Sequence, residues 1–423
     1  MPLGRAHMLA SSIVRDARRT GISADTMSPV GSLRRFAPDV GDVALLGTVP
    51  PATHPDLLRA FARLPAVLST SRETATSITV QTARGIVALH LAAPDDAGAA
   101  LVWHTGSRAH TTQLSRRAAD AGLRFGNATL TDDTGTHIPC LTEAEFYRRL
   151  DLPFIAPELR NGTGEIDAAA AGRLPQLVAE GHIRGDLHTH STWSDGQDTI
   201  ADVVSAAKQL GYDYVAITDH SESAWSSRKL ARRDVQKQRK EVDALRETVT
   251  GIEILHGIEV DIMPDGTLDF DDDLLRGFDI VLASLHDSGG HNGRRLTERY
   301  LKTIDHPLVN VITHPANRSP AQSAGYALDF ERLFTAAIET GTALEIDGAP
   351  GHLDLDGDIA RQAAAAGVTL VIDSDCHRIE SLARQMRFGV GTARRGWVEP
   401  RHVLNTRTTA DVRAFIARKR SRA

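Results

Sequence analysis

Between residues 184 and 377, seven short runs rich in valine, isoleucine and leucine each end in an acidic or imidazole side chain, with helix-like segments between them. The runs end near DLHTH (186–190), VAITDH (215–220), LHGIEV (255–260), VLASLH (281–286), VNVITH (309–314), ALEID (343–347) and LVIDSDCH (370–377). Helical patterns at Ile200 to Leu210, Asp234 to Val249, Leu328 to Thr340 and Ile359 to Ala366 are long enough to connect parallel strands. Such alternation builds an α/β fold with a parallel sheet or barrel. Seven repeats predict a distorted (β/α)7 barrel over residues 182–400.

The chain has 423 residues, more than one domain needs, and 41% hydrophobic content suits a globular protein. Residues 1–150 are expected to form a smaller α/β unit. Its strands are placed near Val43 to Leu46, Ser77 to Gln81 and Gly85 to Leu91, and its helices at His110 to Ala121 and Thr142 to Leu150. Residues 151–181, with several prolines and glycines, read as a linker. Residues 401–423 read as a closing segment with a basic helix at 409–419. No apolar run reaches about 18 residues, and Met1 to Thr20 lacks a secretory apolar stretch, so no membrane partner and a cytoplasmic location are expected. Cys140 and Cys376 are too isolated for a disulfide framework or a CxxC zinc site. A net charge of -6 supplies no broad basic field for nucleic acid. Protein partners are not indicated.

In a βα barrel, residues closing the strands share one cleft at the C-terminal face. Here those residues are His188 and His190, Asp219 and His220, Glu259, His286, His314, and Asp375 with His377. Alternation along a strand turns His188 with His190, and Asp375 with His377, to one side, and Cys376 to the other. Six imidazoles and three carboxylates could not be desolvated together without compensating charge, which divalent cations supply. The number of donors suits two or three ions with a carboxylate such as Glu259 bridging. Imidazole and carboxylate without thiolate suit zinc, manganese or iron.

The ordered set HTH, D, TDH, GIE, SLH, TH and DCH resembles the PHP family of metallohydrolases, whose fold is a TIM-like barrel. The resemblance implies nine metal ligands: His188, His190, Asp195, His220, Glu259, His286, His314, Asp375 and His377. It implies a first ion on His188, His190, Glu259 and Asp375, a second on Glu259, His286 and His314, and a third on Asp195, His220 and His377. The amidohydrolases, which also carry HxH on their first strand, fit less well, because a lysine commonly bridges their metals where Glu259 stands here. Phosphoester hydrolysis is implied, with a metal-bound hydroxide held by Glu259 and Asp375 as nucleophile. Asp219 is read either as orienting a ligand from behind or as a helix cap. Arg318, shortly after His314, resembles an arginine of PolX proteins and is a candidate oxyanion stabiliser.

Residues 31–47, GSLRRFAPDVGDVALLG, resemble the palm motif of family X DNA polymerases. There Gly-Ser grips a triphosphate and carboxylates hold magnesium. Gly31, Ser32 and Asp42 remain, but Ala44 and Ala88 stand where two carboxylates are expected, and a methyl cannot coordinate a hard cation. The thumb-like HTGSRAHTTQLSRRAADAGLRF (104–125) and the stretch 157–175 extend the resemblance to bacterial PolX proteins. Only about 30 residues precede the palm motif, so the N-terminal DNA-gripping domain and fingers are expected to be missing. The resemblance implies a scaffold without templated polymerisation, in which Gly31, Ser32, Arg34 and Arg35 are left to hold a phosphate or DNA end. The run RKLARRDVQKQRK (228–240) has seven basic residues against one acidic. It reads either as a solvated helix face or as a substrate-phosphate grip through Arg228, Lys229, Arg232 and Arg233. The implied partner is a DNA 3' end, processed by a 3'-5' exonuclease in repair. The alternatives are a small phosphomonoester such as histidinol phosphate, or a DNA-binding module with a structural metal.

Overall fold

A computed structural model of the chain describes residues 1–22, 27–224 and 226–421. It forms two compact units, Met1–Leu174 and Pro175–Ala423.

Unit 2 is built on seven parallel strands: β8 (Gly185–Asp186), β9 (Tyr214–Ile217), β10 (Glu253–Asp261), β11 (Ile280–Ser284), β12 (Val311–Ile312), β13 (Ala343–Asp347) and β14 (Leu370–Asp373). They pair in sequence order from β8 to β14. The seam between first and last strands is closed by a Thr189/Cys376 bridge, with His190 N donating to Cys376 O at 2.9 Å. Two buried carboxylates latch that seam. Asp186 accepts from Ser374 N at 3.2 Å, and Asp373 accepts from Leu187 N at 2.8 Å. Gly185 is required there, because a Cβ would lie 2.2 Å from the Tyr214 ring.

Outward residues such as Val215, Ile254, Val281 and Ile372 pack under the helices. Inward residues at the N-terminal end are apolar: Leu187, Tyr214, Leu255, Ile280, Leu282, Val311 and Val371. The helix Thr409–Arg420 plugs that end with Val412, Phe415 and Ile416, so its apolar face rather than its basic character sets its place. Following the inward face up a strand, apolar gives way to polar: Leu255 to Glu259 and Asp261, Ala343 to Glu345 and Asp347, Val371 to Asp373 and Asp375. The barrel is therefore oil below and charge above.

Unit 1 contains a five-stranded sheet in the order β1 (Met27–Val30), β2 (Val43–Thr48), β5 (Gly85–Ala92), β4 (Ser77–Thr82), β3 (Val67–Glu73), and a hairpin of β6 (Leu123–Gly126) with β7 (Thr129–Asp132). The stretch read as a linker is largely part of this unit. Leu159, Arg160, Glu165 and Ile166 are buried in it, and the division falls after Leu174. Pro157 starts a short helical turn, Pro157–Leu159, within it. The last two residues of the closing segment, 422 and 423, lie outside the described residues.

Candidate metal centre

All nine residues of the predicted ligand set meet at the C-terminal mouth of the barrel. His188 Nε2 and His190 Nε2 are 3.1 Å apart, and Asp375 Oδ1 lies 3.0 Å from His190 and 3.6 Å from His188. Glu259 is central. Its Oε2 lies 2.7 Å from His220 Nδ1 and 3.5 Å from His188 Nε2, while its Oε1 lies 3.0 Å from His314 Nε2 and 3.8 Å from His286 Nε2. Asp195 Oδ1 lies 3.2 Å from His377 Nε2 and 3.5 Å from His220 Nε2. The tight groupings overlap more than the sets the resemblance implied. His190 joins Asp195, His220 and His377; His188, His190 and Asp375 form a second group; His220 sits with Glu259 and His286.

Local structure aims these groups. Asp375 and His314 have φ of 48° and 26°, left-handed backbone that non-glycine residues adopt at a cost of about 1–2 kcal/mol. The turn carrying Asp195 folds back on His190, where a Cβ on Gly196 would come within 2.5 Å of the His190 carbonyl. Beneath this turn, Asp219 is fully buried and caps no helix. It accepts from the backbone and hydroxyl of Ser191 and Ser194, at 2.6 to 3.0 Å, and from Gln238 Nε2 at 2.6 Å. Asp219 therefore shapes the loop between His190 and Asp195. Arg228 donates to Gly196 O of the same loop at 2.8 Å.

The donor set fits divalent cations. His220 Nδ1 and Glu259 Oε2 approach to 2.7 Å, yet neither has a hydrogen-bond partner; His190 Nδ1, His314 Nδ1 and Asp195 Oδ1 are also buried without one. Buried imidazole and carboxylate atoms that crowd together and leave hydrogen-bonding capacity unmet are what a shared cation satisfies. Two imidazoles are held from behind by carboxylates: His188 Nδ1 by Glu345 Oε1 at 2.6 Å and His286 Nδ1 by Asp261 Oδ1 at 3.0 Å. Both rings thus turn their Nε2 into the cup. Glu345 and Asp261 were missed from sequence, although the two-residue alternation that exposes Glu259 inward also reaches Asp261, two residues on.

Electrostatics point the same way. Nine carboxylates are buried in unit 2: Asp186, Asp219, Glu259, Asp261, Glu345, Asp347, Asp354, Asp373 and Asp375. The buried Arg299 and Lys419 are spent largely on backbone carbonyls elsewhere. Burial pushes Asp186 up to about 6 and, with Glu345 adding to it, Asp354 up to about 7, while burial together with neighbouring carboxylates drives Asp347 and Asp373 well above the carboxylate range. Burial also opposes ionisation of Glu259, but the imidazoles of His220 and His188 outweigh it and hold Glu259 well below that range. His190, desolvated and stacked between His220 and His377 at ring separations of 4.3 and 4.2 Å, is lowered to about 3, leaving a neutral donor. Uncompensated burial costs several kcal/mol per ion. Bound divalent cations remove that cost.

Other predicted positions fare unevenly. Arg232 is committed to Asp271 at 2.6 Å and to Glu222, and lies over the Phe270 ring, so it is not a free phosphate grip. Lys229 and Arg233 are exposed. Arg318 is nearly buried, its NH1 3.4 Å from Leu353 O and 3.5 Å from Asp356 Oδ2. A cavity of about 810 Å³ lined by Ile183, Arg184, Gly211 and Asp213 opens at the opposite, N-terminal end of β8 and β9.

In unit 1, the parallel register of β2 and β5 sets Ala44 beside Ala88, so two methyls adjoin where carboxylates were expected. Gly31, Ser32, Arg35 and Asp42 line a cavity of about 540 Å³ with Ser107 and Arg108. Arg34 is withdrawn from it into a bidentate pair with Glu143 at 2.6 and 2.8 Å.

Family models of the DNA polymerase beta thumb and of the PHP domain match residues 100–161 and 186–326. The DNA polymerase/3'-5' exonuclease PolX of Bacillus subtilis is 36% identical over 393 residues, covering 92% of this chain and 68% of that protein. A probable phosphatase of Shewanella oneidensis is 36% identical over 213 residues, covering 47% of this chain and 77% of that protein. A crystal structure of Leishmania infantum polymerase beta matches 38% of this chain and 76% of that one, with TM-score 0.33 and 15% identity. With 36% identity to a PolX protein over 92% of its length, the chain belongs to the PolX family, with a segment matching the polymerase beta thumb ahead of its PHP barrel.

Proposed function

We propose that the chain is a divalent-metal-dependent phosphoesterase that trims DNA from its 3' ends and has lost templated polymerisation. The observation carrying this reading is the cup of nine imidazole and carboxylate side chains at the barrel mouth, which crowd together while His190, Asp195, His220, Glu259 and His314 each keep a buried atom without a hydrogen-bond partner. The PolX relative, named as a 3'-5' exonuclease, and the thumb match at 100–161 support DNA as substrate.

Bound there, two or three ions of zinc, manganese or iron would polarise a phosphoester oxygen and make water nucleophilic near neutral pH. The chain's own residues do the rest. Glu345 and Asp261 fix the His188 and His286 rings, and Glu259 presents each of its oxygens to two imidazoles. Asp219 and Arg228 hold the loop that carries Asp195. Exposed Lys229 and Arg233 attract phosphate from the rim. Arg318 serves the developing charge by exchanging Asp356 for a phosphate oxygen.

A second reading, hydrolysis of a small phosphomonoester, is favoured by the probable phosphatases that match just under half of the chain, and by the net charge of -6. One assay separates the two. The protein with Mn²⁺ or Zn²⁺ is given a labelled 3'-recessed duplex or histidinol phosphate, alongside His188→Ala and Asp375→Ala. Nucleotide release from the duplex, lost in both variants, is expected. Release of phosphate from histidinol phosphate alone would favour the second reading, and wild type inert on both would refute the hydrolase.

A further inference from the structure

One group of ligand-type side chains at the barrel mouth reaches beyond the nine. Asp347 ends β13, His352 lies five residues further on in the following loop, and Asp375 follows β14. One donor atom from each lies within 4.8 Å of the other two. Asp347 is fully buried; Oδ1 accepts from Ala349 N at 2.5 Å, and Oδ2 has no hydrogen-bond partner. His352 Nδ1 is also buried and unpartnered, and its ring stacks on His314 with centroids 5.0 Å apart and planes 18° apart. Two residues on, Asp354 leaves Oδ1 without a partner as well. The neighbouring Arg318 directs its NH1 to Leu353 O and Asp356.

Two carboxylates and an imidazole aimed at a common point, in a region already crowded with buried acids, form the donor set of a borderline divalent cation. Neither hydrogen bonding nor packing accounts for the open valences of Asp347 and His352, which a cation would satisfy.

We propose that Asp347, His352 and Asp375 form an additional divalent-cation site that shares Asp375 with the nine-residue cup. The proposal rests on the reading of that cup as a metal centre. Three protein ligands leave coordination positions open. The His352 residue is partly exposed at the mouth, although its Nδ1 is buried. The ion here exchanges more readily than those in the cup, and its open positions suit a substrate phosphate oxygen.

The test counts and locates ions. Full-length protein, stripped with chelator, is dialysed against rising Mn²⁺, and bound manganese is measured by mass spectrometry for wild type, Asp347→Asn and His352→Gln. Wild type is expected to take up one ion more than either variant, in its weakest step. Crystals of wild type with Mn²⁺ are expected to show an anomalous peak between the three side chains. Equal stoichiometry in all three proteins, or peaks within the nine-residue cup and none beside Asp347 and His352, would overturn the proposal and leave the cup standing. No bound manganese anywhere would overturn both. Should a variant fail to fold, the wild-type anomalous map decides alone.

Discussion

Both units bury charged and imidazole side chains, and they treat them in opposite ways. In unit 1 the buried His110 and Glu143 are each held by two partners. His110 is held between Glu165 at 2.7 Å and Tyr147 at 2.9 Å, and Glu143 is clasped by Arg160 at 2.7 Å and by Arg34. In unit 2 the imidazoles and carboxylates of the mouth approach one another while His190, His220, His314, Asp195 and Glu259 keep atoms without partners. The contrast separates scaffold from site. A satisfied buried network holds a fold, and an unsatisfied one of convergent donors awaits a ligand. In the sheet of unit 1, Ala44 and Ala88 adjoin where two carboxylates were expected, and of that set only Asp42 remains.

That contrast can be broken at several points. The largest effect is expected from Asp375→Ala, which opens the centre of the cup. Phosphoester hydrolysis should fall on the order of a thousandfold, the scale seen when one electrostatic contact to the reacting group is lost, with bound metal falling in parallel. Wild-type turnover by a metal-poor Asp375→Ala protein would erase the distinction. Arg160→Ala leaves Glu143 with Arg34 alone and removes the guanidinium bonds to Ile155 O, and should cost unit 1 about 1–3 kcal/mol, read as faster hydrogen exchange in peptides of residues 97–160. Unchanged exchange would show that pairing there is incidental. Glu345→Gln keeps the shape but weakens the hold on His188, and should lower metal affinity about 10–100-fold in an equilibrium titration. An unaltered affinity would remove Glu345 from the supporting shell.

A smaller effect concerns acid. Burial opposes ionisation of Glu143, but Arg34 and Arg160 outweigh it and place its folded pKa below the ordinary value of 4.5. Its contribution is complete above about 4.5 and is lost as pH falls through the lower folded value. Unit 1 should therefore lose stability below pH 4.5, with a shallower slope in Arg160→Ala; equal slopes would contradict the ion-pair account. The smallest expected effect is none. Asp42→Ala should change nothing in a primer-extension assay with magnesium and four nucleotides, because wild type should not extend. Extension abolished by that substitution would restore polymerase chemistry to unit 1.

Much of the barrel was legible because each strand is an apolar run that ends abruptly in a polar ligand type, a pattern that depends on one strand at a time. What the sequence hid depends on neighbours. Glu345 looks like one acid in a short strand until His188, 157 residues away, is placed on it. His352 lies in an irregular loop and gains meaning only beside Asp347 and Asp375. Strand β3 escaped notice because it is an edge strand exposed on nearly every residue, with no apolar alternation. The stretch 151–181 looked like a connection because of its prolines and glycines, while the burial of Arg160 depends on Glu143. The basic run at 228–240 read equally as a solvated helix face or a phosphate grip, and its Arg232 is taken by the acids Asp271 and Glu222.

The most direct test follows metal and rate together. Chelator-stripped protein is titrated with Mn²⁺ while bound ions and nucleotide release from a 3'-recessed duplex are recorded on the same samples. Hydrolysis is expected to be absent from the stripped protein and to rise as the cup fills. Full activity in protein shown to carry no divalent ion, or saturation of the cup with no hydrolysis of any phosphoester, would contradict it.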